Sequence, residues 1–382
     1  MNKLLSGISA SATVSFNNLA SRLKSEGKSI VSLAGGDPDF DTPEKIKASL
    51  VRALNCGHTH YCDVRGLKAL REKLSFKLRE ENNIMCSEKN IIVTPGAKYA
   101  VCLAIMAVAG EGDEVLIPQP SWVSYEAMTR LGGALPVGFP LSVENGYEIT
   151  RSLLEENCTD RTKAIVINSP NNPTGHVLSS DEWQTVRDFV RDHELYLISD
   201  EVYESIIFDG RKNISPASFL DISPRVITVN SFSKAYAMTG WRMGYLCASE
   251  EITDVIATVL SHEISCVNEF VQYAGITALE CREESLMMAR EYERRRDYLV
   301  KELSSLEGFE AVVPQGAFYL WVRIEKNGMN SEELAMWLLE KAGVVTVPGS
   351  SFGKGGEKFL RFCFAYSMKD LEEAVRRIKK CI

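Results

Sequence analysis

Short apolar runs alternate with helical patterns through the middle of the chain. Six of these runs are rich in β-branched residues and lead into turn or polar residues: NIIVTPG, EVLIPQP, TKAIVINSP, LYLISDE, RVITVNS and GYLCAS. Nearly continuous apolar strands separated by helices are typical of a mostly parallel sheet that is covered on both faces. We therefore predict an α/β fold with a central sheet between two layers of helices.

Two of the intervening helices have clear sequence features. Ser179, followed three residues later by Glu182 in SSDEW, forms a capping box and predicts a helix that begins there. The run YAVCLAIMAVAG is well short of the ~20 residues that a bilayer-spanning helix needs. We interpret it as part of a buried helix that begins near Ala97.

The pattern changes near residue 284. A long charged helix, EESLMMAREYERRRDYLVKELSSL, leads to closely spaced strands in FEAVVPQGAFYLWVRI, VVTVPG and KFLRFCFA, and then to a final helix. This succession predicts a smaller α+β domain. We expect a large domain over 43–283 and a small domain made of 1–42 and 284–382. The charge run REYERRRD is interpreted as the solvent-exposed face of the long helix.

Composition and charge favour a protein that acts on small molecules. The formal charge of −8 over 382 residues predicts neither a nucleic-acid surface nor a membrane-binding basic segment. Serines and a glycine interrupt the apolar part of MNKLLSGISASATVSF, which argues against a secretory leader. Ten cysteines without a CxxC pair favour reduced thiols, so we expect a cytoplasmic protein.

One short cluster contains residue types that bind zinc. CGHTHYC places Cys56, His58, His60 and Cys62 within seven residues. Its spacing matches none of the common structural zinc patterns. We therefore predict no metal site.

Polar residues follow several of the predicted strands. Asp200 ends LYLISD and Tyr203 follows it, while Asn172 lies in the turn after another strand. A turn containing Gly96 joins a strand to a helix whose free N–H groups suit a phosphate. Because ligands bind at the carboxyl ends of parallel strands, we expect these groups to converge.

Lys234 adds a nucleophile to this edge of the sheet. It lies in SFSKAYAMTGWRMGY, directly after the strand RVITVN. A buried lysine has a lowered pKa and can attack a carbonyl to form a Schiff base. No GxGxxG is present, and GSSFGKGG has the wrong spacing for a P-loop. A phosphate site, a carboxylate, an amide, a phenol and a lysine together indicate a phosphorylated pyridine aldehyde, which is pyridoxal phosphate.

A set of motifs in the same order carries a family resemblance over nearly the whole chain. The motifs are SLAGGDPDFDTP, YCDVRG, TPGAK, PSWVSY, NSPNNPTG, SDEVYE, SFSKAYAMTGWRMGY, GAFYLW and FLRFCFA. With them the chain resembles the class I aminotransferase family, and within it the prokaryotic aspartate aminotransferase branch. The resemblance implies a three-layer fold type I pyridoxal phosphate-dependent transferase with a mostly parallel central sheet and a smaller α+β domain.

The resemblance also implies roles for residues around the cofactor ring. Lys234 would form the Schiff base and later carry a proton, and Asp200 would keep the pyridine nitrogen protonated. Asn172 and Tyr203 would hydrogen-bond the ring hydroxyl, and Trp122 would stack on the ring. The phosphate would be bound by Gly96, Ala97, Lys98, Ser231 and Arg242, with Tyr61 reaching in from the second subunit of a homodimer.

Substrate-binding residues follow from the same resemblance. Arg361 would grip the α-carboxylate through two parallel hydrogen bonds, and the flanking apolar residues of FLRFCFA predict that it is buried. Gly36 would offer backbone to the substrate, alongside Trp122 and Asn172. For the distal carboxylate of an acidic substrate, the resemblance implies Lys98 with Ser11 and Thr13.

The expected reaction is a ping-pong transfer of an amino group between aspartate or glutamate and 2-oxoglutarate or oxaloacetate. Alanine, aromatic amino acids and kynurenine stay open as substrates, because the segment SHEISCVNEF offers no clear cation. Ser9 and Ala10 stand where prephenate-accepting relatives carry a basic residue and a proline, which argues against prephenate. A β-lyase is the alternative reaction, and a non-catalytic effector-binding domain is the alternative of another class.

Overall fold

A seven-stranded mixed sheet forms the centre of the protein. The computed structural model describes residue 8 and residues 12–382. The strands of this sheet are β2 (Ile91–Thr94), β3 (Glu114–Gln119), β4 (Leu135–Pro140), β5 (Thr162–Asn168), β6 (Tyr196–Asp200), β7 (Val226–Ser231) and β8 (Gly244–Cys247). Their order is β2-β8-β7-β6-β5-β3-β4, and only β8 runs antiparallel to its neighbours. This sheet confirms the predicted α/β fold.

Helices cover both faces of the sheet. They are α2 (Glu44–Asn55), α3 (Lys68–Asn82), α4 (Ala97–Val108), α5 (Ser124–Leu131), α6 (Arg151–Asn157), α7 (Ser180–Asp192), α8 (Phe232–Ala235), α9 (Glu250–Glu263) and α10 (Glu269–Ala278). Alternate residues of one strand enter different apolar cores: Ile165 and Ile167 pack in one, Ala164 and Val166 in the other. Because side chains alternate along a strand, two cores mean that both faces of the sheet are buried.

The C-terminal part builds a second, antiparallel sheet. Its elements are α11 (Arg282–Ser304), β9 (Phe309–Val312), β10 (Tyr319–Ile324), α12 (Ser331–Ala342), β11 (Val344–Val345), β12 (Val347–Pro348), β13 (Phe359–Cys363) and α13 (Met368–Lys379). The four-stranded sheet has the order β12-β13-β10-β9. From the N-terminal part come α1 (Ala12–Ser25) and β1 (Val31–Ser32), and β1 pairs with β11. The domain limits at 42/43 and 283/284 stay a prediction.

Most of the predicted elements are found, but two strands, β1 and β4, were not predicted. All six predicted strands form, α4 begins at Ala97, and the Ser179–Glu182 capping box begins α7. The sequence did not predict β4, LPVGFP, at the edge of the sheet. Two prolines and a glycine obscure a strand pattern, and only an edge position tolerates them.

The interpretation of REYERRRD as a solvent-exposed face is wrong for two of its arginines. Arg295 and Arg296 are only 5% and 4% exposed. Arg295 pairs with Asp39 at 2.6 Å and Arg296 with Asp209 at 2.7 Å. The Arg295 guanidinium also lies 5.0 Å from the ring centre of Phe40. Carboxylates and an aromatic face together offset the loss of hydration, so this part of α11 is buried.

The described chain, residue 8 and residues 12–382, contains no helix that is both long and apolar enough for a bilayer span. Each of the ten cysteines carries a free thiol.

Candidate active site

A cavity of about 330 Å³ opens at the carboxyl ends of β5, β6 and β7, beside the start of α4. Strand ends, the first turn of α4 and the segment after β7 supply much of its lining, and β10 and β13 of the second sheet add one residue each. Most of the predicted site residues meet here: Thr13, Gly36, Ala97, Lys98, Trp122, Asn172, Asp200, Tyr203, Ser231, Lys234, Arg242 and Arg361.

Asp200 is a buried carboxylate at the end of β6. The Tyr125 hydroxyl donates to its Oδ2 at 2.6 Å, and the Val202 amide donates to Oδ1 at 3.3 Å. Burial raises the pKa of Asp200 to about 6 despite these donors. The hydrogen bonds that the protein supplies to Asp200 come from a phenol and an amide. A cationic group entering the cavity would therefore favour the ionised form of Asp200.

Lys234 lies in α8, the short helix that follows β7. Its Nζ donates to the Gly36 carbonyl and lies 5.5 Å from the ring centre of Phe318. Burial lowers the pKa of Lys234 to about 8. A substantial fraction of this amine is therefore neutral near pH 7 to 8, as nucleophilic attack and proton transfer require.

Gly96 is the N-cap of α4, and Arg242 and Ser231 line the same cavity as the first turn of this helix. Gly96 has φ 88°, and a β-carbon there would collide with the Arg242 guanidinium. Arg242 Nη1 donates to the Thr239 carbonyl at 2.7 Å, which fixes the guanidinium beside the helix N-terminus. Burial and the Arg242 charge lower the pKa of the nearby Lys98. Positive charge and unpaired N–H groups converge here, so this end of the cavity suits a phosphate.

Arg361 lies on β13 and is 1% exposed, as its apolar neighbours predicted. Its Nη1 donates to Asn172 Oδ1 at 3.0 Å and its Nη2 to the Ala34 carbonyl at 2.7 Å. Its Nε is buried without a hydrogen-bond partner among the described residues. Between residues 12 and 382 no carboxylate forms an ion pair with it. A buried guanidinium in this state is suited to an external carboxylate.

Comparison with known proteins agrees with this geometry. Residues 28–378 match the family model described as aminotransferase class I and II. The chain belongs to this aminotransferase family. It is 42% identical to a probable aspartate/prephenate aminotransferase of Aquifex aeolicus, over 99% of this chain and 97% of the relative. It is 40% identical to an aspartate aminotransferase of Musicola paradisiaca, over 98% and 94%.

Solved structures of aminotransferases share the fold closely. The aspartate aminotransferase of Thermus thermophilus with maleate superimposes with a TM-score of 0.95 at 37% identity, and the match covers 100% of this chain and 99% of that one. The aspartate aminotransferase of Rhizobium meliloti gives the same TM-score at 33% identity, over 100% and 98%. The predicted fold type I transferase is therefore confirmed.

Pyridoxal phosphate is the cofactor of this aminotransferase family, and the cavity fits it. A Cβ at Gly96 would fill the space in front of Arg242 that a phosphate needs. The buried Asp200 carboxylate, whose pKa is raised by burial, would be stabilised as the anion by a protonated pyridine nitrogen. Lys234 has an amine of lowered pKa, which would suit reaction with the aldehyde.

The predicted residue Tyr61 lies outside this constellation. Tyr61 is 85% exposed and does not line the cavity of its own chain. Ser11 lies outside the described residues, as do Ser9 and Ala10. Thr13 lines the cavity, and its hydroxyl is buried without a hydrogen-bond partner in the described chain.

The CGHTHYC cluster forms other contacts. His58 Nδ1 lies 3.1 Å from Glu269 Oε1, and its ring packs on Tyr273 with the ring centres 4.1 Å apart. Within the described part of the aminotransferase, no three His, Cys, Asp or Glu side chains are arranged to bind a metal.

Sequence reasoning missed two tyrosines of the cavity. Tyr125 hydrogen-bonds Asp200, and Tyr319 contacts both Tyr203 and Arg361. Both lie within motifs that carried the resemblance, PSWVSY and GAFYLW. The signal was therefore present, but only the tertiary contacts show which group each hydroxyl meets.

Proposed function

We propose that this aminotransferase transfers the amino group of L-aspartate or L-glutamate to 2-oxoglutarate or oxaloacetate by a ping-pong mechanism. The observation behind the proposal is that two cations, the buried Arg361 and the exposed Lys98, line one cavity. Two cations suit a substrate with two carboxylates. Relatives from Musicola paradisiaca and Bacillus subtilis are named aspartate aminotransferases, at 40% and 36% identity.

Arg361 binds the α-carboxylate in this proposal. Asn172 and the Ala34 carbonyl hold two of its nitrogens, so the plane of the guanidinium is fixed before substrate arrives. Its Nε has no other partner within the described residues and is free to donate. Preorganisation of this kind lowers the entropic cost of orienting the substrate.

Lys234 is the residue proposed to move the proton. When bound, the cofactor supplies a ring that accepts the electrons released when the substrate Cα–H bond breaks. Lys234 would hold the cofactor through its Nζ. Once substrate has displaced it, the freed amine would take the proton from the substrate Cα and deliver it to the cofactor carbon bonded to the amino nitrogen. With a pKa of about 8, its Nζ can do both near neutral pH. Asp200 stays anionic opposite the ring nitrogen.

The remaining cofactor contacts are proposed from the lining of the cavity. Tyr203 and Asn172 donate to the ring hydroxyl, and Trp122 covers one face of the ring. The phosphate accepts from the backbone of Gly96, Ala97 and Lys98, from the Ser231 hydroxyl and from Arg242. Gly36 lets substrate approach the backbone. Thr13 and Ser11 assist Lys98 at the distal carboxylate.

A homodimer completes the proposal. A second cavity of about 750 Å³ adjoins Arg242 and is lined by Trp241, Val267 and Phe270 among others. Large exposed side chains lie near the end of α2, at Val51 and Leu54, and after it at Tyr61. They support a subunit contact. Tyr61 would enter the partner's phosphate site. The cytoplasmic location stays a prediction.

Substitution of Lys98 tests the choice of substrate. In Lys98→Ala, kcat/KM for aspartate and glutamate should fall at least about tenfold more than kcat/KM for alanine, because only acidic substrates lose a cation contact. The matched control is Lys369→Ala, an exposed lysine on α13. Donors would be assayed against 2-oxoglutarate, oxaloacetate and pyruvate. Equal losses for all donors would leave Lys98 a cofactor role only.

Aromatic amino acids are the second candidate substrates. A relative from Thermococcus litoralis, 40% identical over 92% of both chains, is named an aromatic-amino-acid aminotransferase. The donor panel separates this alternative, and prephenate can be added as an acceptor. Pyruvate and ammonia from a β-substituted amino acid without any oxo acid would instead indicate β-elimination.

A further inference from the structure

Tyr319 lies in the active-site cavity beside two groups with proposed roles in transamination. It is almost completely buried on β10, two residues before Trp321, which lies opposite Arg361 on β13. Residues two apart in a strand point to the same face, so Tyr319 is the diagonal neighbour of Arg361. Sequence reasoning gave this tyrosine no role.

We propose that Tyr319 is a positioning residue for transamination. Its ring holds the Arg361 guanidinium in place for the substrate carboxylate, and its hydroxyl directs the Tyr203 hydroxyl toward the cofactor. The inference rests on the proposed function, in which Arg361 binds substrate and Tyr203 binds the cofactor ring.

The ring of Tyr319 forms a platform for Arg361. The guanidinium carbon lies 4.2 Å from the ring centre of Tyr319 and 5.0 Å from that of Phe352. Both distances are within the range of a cation–π contact, which strengthens when water is excluded. Asn172 and the Ala34 carbonyl fix the guanidinium at its edge. The aromatic rings and the two hydrogen bonds together hold the Arg361 guanidinium in one orientation.

The hydroxyl of Tyr319 lies 3.0 Å from the hydroxyl of Tyr203. Burial raises the pKa of Tyr203 well above its usual value and that of Tyr319 to about 12, so both phenols keep their protons at neutral pH. Each phenol has one proton to donate. If Tyr203 donates toward the cofactor, its oxygen accepts from Tyr319. A Tyr203 polarised in this way is a stronger donor.

Gly36 lies between the Tyr319 hydroxyl and the amine of Lys234. A β-carbon at Gly36 would collide with the Tyr319 hydroxyl, so the absence of a side chain allows the contact. The Gly36 carbonyl accepts from Lys234 Nζ. Tyr319 therefore touches the carboxylate-binding arginine, the ring-binding tyrosine and the segment opposite the lysine.

Tyr319→Phe tests the role of the hydroxyl. The first readout is the pH midpoint of the absorbance change of bound cofactor, in the absence of substrate. In this variant Tyr203 is a weaker donor, so more negative charge stays on the cofactor's ring oxygen. That charge favours the protonated form of the nitrogen that joins Lys234 to the cofactor. The midpoint should therefore move to higher pH by about 0.5 to 1 unit, the size expected for one lost hydrogen bond. We also expect kcat to fall about three- to tenfold while KM changes less than twofold.

Tyr292→Phe is the matched control. Tyr292 is also a buried tyrosine near Phe318, and its hydroxyl has no hydrogen-bond partner among the described residues. Its substitution removes a buried hydroxyl without breaking a hydrogen bond seen in the structure. The midpoint and kcat of this variant should match the unmodified enzyme.

Tyr319→Leu tests the role of the ring. Without the aromatic platform, KM for every amino acid should rise about tenfold, because Arg361 loses its fixed orientation. Thermal unfolding and cofactor content identify a variant that fails to fold. In that event the Tyr319→Phe variant, which keeps the ring, still tests the hydroxyl.

A double substitution separates positioning from general destabilisation. In a Tyr203→Phe background, Tyr319→Phe should add no further shift of the midpoint, because the accepting hydroxyl is gone. A midpoint in Tyr319→Phe equal to that of Tyr292→Phe, or an additive shift in the double variant, would overturn the inference. The midpoint needs no substrate, so a failure of the aspartate proposal appears separately, in the donor panel.

Discussion

Arg361 is the residue whose surroundings most directly indicate the substrate. Its buried Nε has no hydrogen-bond partner in the described chain. Its other two nitrogens donate to Asn172 Oδ1 and to the Ala34 carbonyl. Lysine would keep the charge but lose the planar fork. In Arg361→Lys we expect kcat/KM to fall about 100-fold for every amino acid, measured by steady-state kinetics. Unchanged values would make Arg361 a structural residue.

The amine of Lys234 should destabilise the cofactor-free fold in a pH-dependent way. Its pKa is about 8 when folded and 10.5 when exposed, so the unfolded chain binds more protons between these values. Stability therefore rises with pH across that window, and the full cost of burial applies below pH 8.

Lys234→Met removes this titration while keeping the length of the side chain. The free energy of unfolding would be measured with denaturant on cofactor-free protein. The variant's value minus the parent's value should be more positive at pH 7 than at pH 10, by about 2–3 kcal/mol. Lys369→Met, at an exposed position, serves as the control. The same difference at both pH values would contradict the lowered pKa.

At the residue scale, the sequence predicted those site residues that end a strand or begin a helix. Asp200 ends β6, and Gly96, Lys234 and Asn172 lie two to four residues after strands β2, β7 and β5. The carboxyl ends of parallel strands meet at one edge. Tyr125 and Tyr319 were missed because a tyrosine is equally common in a plain core. The exposed or buried state of Arg295 also depends on partners distant in sequence, Asp39 and Phe40.

At the scale of elements, helix α7 depends on a local signal. Ser179 accepts from the Glu182 amide at 3.2 Å, and Glu182 Oε2 accepts from the Ser179 amide at 2.8 Å. Ser179→Ala should lower the free energy of unfolding by about 1 kcal/mol. Ser261→Ala, at an exposed hydroxyl late in α9, should change it by no more than a few tenths. Equal effects of the two substitutions in chemical denaturation would argue against the cap.

The predicted elements share one property, a signal contained within the element itself. The six apolar strands and the capped α7 are of this kind. Strand β4 is not, because its prolines and glycine suit a turn as well as an edge strand, and only the pairing with β3 decides between them. The pairing of β1 with β11 joins residues more than 300 positions apart, which no local pattern reveals.

At the scale of the whole molecule, the proposed homodimer places Tyr61 in the partner's phosphate site. Sedimentation should give the mass of two chains, and Tyr61→Phe should weaken cofactor retention about three- to tenfold, since a hydrogen bond to a charged group is lost. Tyr298→Phe, a partly buried tyrosine on α11, should leave retention unchanged. A monomer that retains cofactor fully would contradict the subunit contact.

Pyridoxal phosphate is proposed to be bound through the Nζ of Lys234. Borohydride reduction of the purified holoenzyme converts that linkage to a stable amine, and peptide mass spectrometry then locates the added mass. We expect the cofactor's mass on the peptide that contains Lys234 and none on the peptide that contains Lys98. Added mass on another lysine, or on no peptide of a protein that holds cofactor, would contradict it.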